Sequence, residues 1–273
     1  MDAVTYLPVG FGAHHWAASV DERNRWFVTF DERRQTDLDA AYAGASALRD
    51  TGELEFVLAP VLLGDGVATV PLADGRLSCT QWYDGTSGGT LDTAWTARAL
   101  RRLHTTAPPA TLPRWRPKVR VTFAEETLGL TEHNWGPGPY ADRARSAVRS
   151  ALDDIGRWTE RYHHLAEEAV ARPWVACHGE PHSDNQLQTA SGRFLVDWDT
   201  LRLAPPELDL RTLVDAGVLP AEAGADPEML ELFDLEWRLD EISQYAEWFA
   251  APHSGNADDE IAIADLLEEL SRL

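Results

Sequence analysis

Hydrophobic periodicity changes partway along this chain, and that change limits the folds open to it. Up to residue 83 the apolar residues fall in short β-branched and aromatic runs broken by turn residues, the pattern of strands. Val4-Thr5-Tyr6-Leu7-Pro8, Trp16-Ala17-Ala18-Ser19-Val20 and Trp26-Phe27-Val28-Thr29-Phe30 predict three strands, the last two separated by the polar turn Asp21–Arg25. An Ala-rich helix is expected over 37–49, stopping at Gly52. Strands are expected again over 54–83, with turns at Gly64-Asp65-Gly66 and Asp74-Gly75. Asp84-Gly85-Thr86-Ser87-Gly88-Gly89 reads as a linker. Beyond it the period becomes 3.6. A helix is expected over 91–104, and one long helix follows from the stripe Val148, Leu152, Ile155, Tyr162, Leu165 and Ala169. A further helix follows from Leu235, Leu239, Ile242, Ala246 and Phe249. A strand-rich insert, 174–199, interrupts the helical part. The layout is α+β, with the strands gathered in the first third.

The formal charge of −21 works against nucleic acid or an anionic membrane surface as partner, because both repel an acidic protein. It is compatible with a cationic ligand, and equally with plain solubility. The 44% hydrophobic content is that of a folded globular chain, and most of the eleven Trp are expected in its core. Two cysteines, Cys79 and Cys177, make no disulfide framework. Met1-Asp2-Ala3-Val4 has neither the basic nor the apolar stretch of a secretory leader, and no apolar run is long enough to span a bilayer. The expectation is a cytoplasmic protein, monomeric or homodimeric.

Chemistry concentrates in the insert. It reads His178-Gly179-Glu180-Pro181-His182-Ser183-Asp184-Asn185, then a turn at Ala190-Ser191-Gly192, then Leu195-Val196-Asp197-Trp198-Asp199. Phosphoryl transfer needs a carboxylate to orient the accepting hydroxyl and oxygen ligands to hold Mg²⁺ against the phosphates. An acid, an Asn five residues on and a second acid across a short hairpin supply those parts. A zinc site on Cys177, His178 and His182 is the competing reading. His178 and His182 are four apart, which brings two ligands to one metal only on a helix, and Pro181 and the flanking strands oppose a helix here. His163 and His164 lie on an amphipathic helix, where surface or rim positions are expected.

The segment resembles the signature of the aminoglycoside phosphotransferases and their relatives among the choline and fructosamine kinases. Ala204-Pro205-Pro206-Glu207-Leu208-Asp209-Leu210 is similar to the segment that follows in such proteins, and Leu100–His104 to their first C-lobe helix. The resemblance implies a protein-kinase-like bilobal fold, with a small strand-rich N-lobe over residues 1–84 and a larger helical C-lobe over 85–273. It implies Glu180 as catalytic base and His178 as the scaffold bracing the catalytic loop. Asn185 and Asp197 would be metal ligands, and Asp209 would hold the loop from below. Asp199 is either a second metal ligand or a structural acid. Gly10, Gly12, His14 and His15 would meet the nucleotide phosphates, or His14 and His15 sit in a plain turn. Gln81 and Tyr83 belong to the hinge beneath the base. Mg²⁺ and ATP or GTP are the implied cofactors, a small cationic hydroxyl compound such as an antibiotic the implied acceptor. Among the acids Glu236, Asp240, Glu241 and Glu247 of the C-terminal helix, Asp240 and Glu241 are the acceptor-binding candidates, with a solvated helix face the alternative for all four.

Three departures from the pattern stand out. Glu180 replaces the usual Asp, keeping the carboxylate and adding a methylene. His15 falls where a third glycine would. The phosphate-pairing lysine of the third strand is absent: Thr29 takes its place, and Lys118 is the one lysine in the chain. The helix glutamate that would pair with it is also missing, since 36–49 holds only Asp37 and Asp39. Arg33, Arg34 or the loop histidines would then have to supply the charge. The alternative is a pseudokinase, a binding or regulatory module without transfer.

Overall fold

The computed structural model describes residues 2–9, 13–31, 37–51, 53–64 and 66–272. Gly10, Gly12, Arg33 and Arg34, and the expected helix stop at Gly52, lie outside the described residues. Contacts group the chain into two compact units, Met1–Trp115 with Pro173–Ala225, and Arg116–Arg172 with Asp226–Leu273.

The first unit opens with an antiparallel sheet in the order β1-β2-β3-β5-β4. Its strands are β1 (Ala3–Leu7), β2 (His14–Val20), β3 (Arg23–Asp31), β4 (Thr69–Leu72) and β5 (Gly75–Gln81). The three strands expected over 4–30 form where the β-branched and aromatic runs stand. Between β3 and β4 lies helix α1 (Leu38–Thr51), which buries Leu38, Ala41, Tyr42, Ala45 and Leu48 along one stripe. After β5 come β6 (Gly85–Thr86) and α2 (Thr93–Thr105), the latter capped by Asp92, whose carboxylate accepts from the Trp95 N–H. The unit resumes with β7 (Val175–Cys177), β8 (Gln186–Thr189), β9 (Gly192–Leu195) and β10 (Arg202–Ala204). β7 pairs with β10, and β8 lies between β6 and β9. One apolar cluster joins α1, residues 54–59 and α2 to Leu195, Trp198, Leu201 and Leu213.

Helices α3 (Phe123–Glu132), α4 (Ala141–Ser150), α5 (Leu152–Ala169), α8 (Pro227–Ala250) and α9 (Ala257–Ser271) make the second unit; the short α6 (Glu207–Asp215) and α7 (Pro220–Ala223) belong to the first. In this second unit the Tyr162 hydroxyl donates to Glu236 at 2.5 Å and accepts from the Lys118 N–H at 3.0 Å. Arg161 forms a two-pronged pair with Glu231.

Three local expectations are corrected. The described residues of 54–68 form no strand beyond an isolated Val57–Leu195 bridge. Their apolar character comes instead from core burial, since Leu54, Phe56, Val57 and Ala59 are all buried. The Gly-rich stretch after Asp84 is partly strand: Gly85 and Thr86 pair with Thr189 and Gln188. A Cβ on Gly85 would meet the Gln188 carbonyl at 2.5 Å, so the glycine is there for close strand approach. The long helix over 148–169 is two helices, broken at Ala151, whose N–H bonds back to the carbonyls of Ala147 and Val148. The stripe runs through the break because both helices bury the same side, with Val148 and Ile155 fully covered.

Candidate active site

The strongest polar construction in the first unit surrounds His178, which is fully buried. Its Nε2 lies 2.8 Å from the Val196 carbonyl, which can only accept, so Nε2 carries the proton. Its Nδ1 accepts from the Glu180 N–H at 3.3 Å. Both ring nitrogens are thereby committed in the neutral tautomer. Burial pulls the His178 pKa below its ordinary value, against the opposing pull of Asp209. The ring packs against Trp198, centroids 4.5 Å apart. A histidine held this way braces the loop; it has no nitrogen left for a metal or a proton relay. Cys177 is also committed, with its thiol directed at the carbonyls of Ala204 and Pro205.

Below the loop, Asp209 is fully buried and accepts from the backbone N–H groups of His178 at 3.0 Å and Gly179 at 2.7 Å, and from His104 Nε2 at 2.9 Å. His104, Cys177 and Asp209 stand close enough to suggest a metal group. His104 Nε2 is bonded to Asp209, Asp209 to two backbone N–H groups and the Cys177 thiol is directed at two carbonyls, so the cluster is structural. Gly179 has φ +99, and a Cβ there would meet Thr200 Oγ1 at 2.7 Å. The Thr200 hydroxyl donates to the His178 carbonyl at 2.6 Å.

These constraints leave Glu180 exposed at the tip of the loop. The Asn185 amide nitrogen donates to the Glu180 carbonyl at 2.9 Å, which fixes the orientation of the amide and turns its oxygen away from that bond. The Val196 N–H donates to the Asn185 carbonyl at 3.0 Å, setting residues 185 and 197 on adjoining segments of one hairpin. Asp197 has φ 63 and ψ 66. Aspartate tolerates this left-handed conformation better than most residues, yet holding it costs free energy, and such outliers gather where a side chain must be aimed. Asp197 is exposed, whereas Asp199 is buried two residues on. Asn185, Asp197 and Asp199 offer oxygen ligands alone, the donor set of a hard divalent cation such as Mg²⁺.

On the sheet, His15 of β2 stands opposite Thr29 of β3, which stands opposite Ser78 of β5. His15 Nδ1 lies 3.2 Å from the Thr29 hydroxyl, and its ring stacks on Phe27 at 5.0 Å. Burial first, and the neighbouring His14 second, lower the His15 pKa, while Asp31 raises it. His14 is exposed and stacks on Phe30. At the end of β5, Gln81 is exposed and Tyr83 packs its ring on Phe194 at 5.0 Å.

The second unit holds a cavity of about 280 Å³ between α3 and α8. Val119, Phe123, Leu130 and Leu239 give it apolar walls; Glu126, Asp240 and Glu247 bring acids, Lys118 and Arg120 bases. Lys118 Nζ lies 3.9 Å from Asp240, and Arg120 pairs with Glu126 at 3.2 Å. Asp240 thus lines the cavity, while Glu241 does not. Burial raises the Glu241 carboxyl, with a hydrogen bond to Tyr245 opposing. Glu236 is spent on Tyr162. Sequence reading did not find Lys118 or Phe123 here, because their approach to α8 is purely tertiary. It also passed over Gln186, whose amide ties the loop to Thr96 at 2.9 Å and to the Pro181 carbonyl at 3.0 Å, and Tyr42, a buried phenol among core residues. His163, expected at surface or rim, has a buried Nε2 without a hydrogen-bond partner.

Comparison with known proteins gives the family and the fold. A family model described as a phosphotransferase enzyme family matches residues 4–248. Protein StrN of Streptomyces griseus is 31% identical over 173 residues, 59% of this chain and 53% of that protein, so the match spans about half the relative's length. Among solved structures, a spectinomycin phosphotransferase in complex with ADP and spectinomycin superposes with a TM-score of 0.73 at 16% identity, covering 99% of this chain and 89% of the other. A Plasmodium vivax ethanolamine kinase gives 0.58 at 12% identity, over 98% and 82%. A choline kinase from Streptococcus pneumoniae gives 0.51 at 14% identity, over 98% and 93%. The fold is protein-kinase-like. No helix among the described residues is long and apolar enough to cross a membrane.

Proposed function

Because the chain belongs to the phosphotransferase enzyme family, we propose that it moves the γ-phosphoryl group of ATP or GTP to a hydroxyl of a small, cationic acceptor of the aminoglycoside class. Residues 1–84 serve as the nucleotide lobe and 85–273 carry the catalytic loop and the acceptor helices. The observation that carries this reading is the loop itself. A fully satisfied neutral His178 and a fully buried Asp209 hold Glu180 out to solvent, while Asn185 and a strained Asp197 present oxygens across one hairpin.

Glu180 orients the acceptor hydroxyl and receives its proton. Asn185 and Asp197 would hold Mg²⁺, with Asp199 behind them; the ion supplies charge neutralisation for the phosphates when bound. Gln81 and Tyr83 lie along the base, and His14 and His15 near the phosphates. In the second unit, Asp240 and Glu247 favour ammonium groups on the acceptor. Related structures hold spectinomycin and kanamycin, which supports an antibiotic of that kind.

The test is transfer of labelled γ-phosphate from ATP or GTP, with Mg²⁺, to a panel that includes spectinomycin and kanamycin. A labelled acceptor is expected. One observation favours a second reading, a nucleotide-binding module without transfer: Thr29 offers no positive charge to phosphate. Thermal stabilisation by Mg²⁺–nucleotide with no labelled product across the panel would support that module. Neither stabilisation nor product would overturn both.

A further inference from the structure

In the antiparallel sheet, directly opposed residues share a face, as do residues two apart on one strand. His15, Thr29, Asp31, Arg76 and Ser78 therefore share one face, by the pairings His15–Thr29, Thr29–Ser78 and Asp31–Arg76. Helix α1 meets this face at two residues. Asp39 accepts from Arg76 Nη2 at 2.5 Å, and its other oxygen accepts from the Thr69 N–H at 3.1 Å and the Thr69 hydroxyl at 2.8 Å. The Thr69 oxygen accepts in turn from Arg76 Nε at 2.5 Å, closing a ring of bonds between helix and sheet. Three residues along α1, the buried Tyr42 hydroxyl reaches Ser78 and sits within electrostatic reach of Asp199, Asp197 and Asp31. Farther along α1, the helix backbone at Gly44 closes most tightly on the Leu112 side chain and also lies against Leu201, the residue after the turn Trp198–Thr200: a Cβ there would meet Leu112 at 2.2 Å and Leu201 at 3.3 Å. A continuous path thus runs from β4 and β5 through α1 to the Asp197–Asp199 turn.

The strand lysine and helix glutamate absent from this chain would have joined helix to sheet with charge. We propose that the Asp39–Arg76 pair, bridged by Thr69 and backed by the Tyr42–Ser78 contact, is the positioning element of this site: it holds α1 so that the Asp197–Asp199 turn presents its oxygens to the metal-bound nucleotide. The inference rests on the function proposed above. Both members of the pair keep about a third of their side-chain surface in solvent, 31% for Arg76 and 36% for Asp39. A pair that exposed contributes little to global stability, ~1 kcal/mol or less. Its weight is expected in the geometry of the site, where small displacements cost much in binding and rate.

The experiment is calorimetric titration of ATP with and without Mg²⁺, alongside thermal unfolding, on the wild type, Asp39→Asn, Arg76→Met, Arg76→Lys and Tyr42→Phe. Asp39→Asn and Arg76→Met are each expected to weaken Mg²⁺–ATP binding about tenfold, with little change in Tm and in metal-free ATP binding. Arg76→Lys is expected to recover part of the loss, and Tyr42→Phe to show a smaller loss of the same kind. Asp39→Asn separates positioning from direct contact. If Arg76 bound phosphate itself, neutralising Asp39 would free it and leave affinity unchanged or raised, and that result overturns the proposal. Unchanged Mg²⁺–ATP affinity in both charge variants also overturns it, as does an equal loss with and without metal. If either charge variant fails to fold, Tyr42→Phe decides, since it keeps the ring and removes only the hydroxyl; Mg²⁺–ATP affinity equal to wild type in it refutes the proposal. A wild type that binds no Mg²⁺–ATP refutes the proposed function, and this inference with it.

Discussion

The catalytic loop and the nucleotide-side sheet of this molecule are built on different terms. In the loop, backbone and side-chain groups interlock: Asp209 takes three donors, His178 commits both nitrogens, and Asn185 is oriented by the Glu180 carbonyl. On the sheet, the row His15–Thr29–Ser78 offers hydroxyls and an imidazole where a cation is expected, and the charged contact has moved to Asp39 and Arg76. The groups that would meet the acceptor oxygen follow a dense pattern. The groups that would meet the phosphates have been recomposed. Aiming a carboxylate admits few solutions, whereas neutralising phosphate admits many, since metal, arginine and histidine can all contribute.

Asp197→Ala tests the loop side most severely. Loss of Mg²⁺-dependent nucleotide binding and turnover is expected, and calorimetry with and without the ion checks it; unchanged metal dependence removes Asp197 from the site. Glu180→Gln keeps shape and loses charge, and the expected fall in kcat is ~10²–10⁴-fold. Near-full kcat would make Glu180 structural. Asp209→Ala strands the N–H groups of His178 and Gly179 and the His104 ring in a buried place, with an expected loss of ~3–5 kcal/mol in urea unfolding. Gly179→Ala strains a left-handed backbone and crowds Thr200, and ~1–3 kcal/mol is expected by the same measurement. The smallest effect is one of pH. The buried His178 binds a proton less readily folded than unfolded, so its contribution is intact above pH 6.5 and falls as pH drops from 6.5 toward its lowered folded pKa. Urea midpoints at pH 7.5 and 5.5 should converge in His178→Gln relative to wild type; parallel behaviour would mean that another group governs the acid limb.

Much of this was legible in the residues. The motif from His178 to Asp199 is local, so spacing alone places its acids and amide on one hairpin. The strands of the first sheet show themselves by aromatic and β-branched runs that no helix would favour. Residues 54–59 misled because burial, not pleating, makes them apolar, and periodicity cannot tell those causes apart. The break at Ala151 was invisible because alanine is a good helix former, and the break is set by how two helices pack. In the sequence Asp39 is only one of two aspartates in a stretch that lacks the expected glutamate. Its partner Arg76 lies 37 residues away on strand β5, a pairing that only tertiary structure supplies.

Lys118 has a practical consequence. It is the one lysine of the chain, about half exposed at the edge of the second unit's cavity, with its Nζ 3.9 Å from Asp240. Apart from an α-amino group, an amine-directed reagent has one address on this protein. A fluorophore or crosslinker attached there reports from the cavity rim in a molecule otherwise silent to that reagent. Protection of the lone amine then becomes a screen for cavity ligands that requires no knowledge of the reaction.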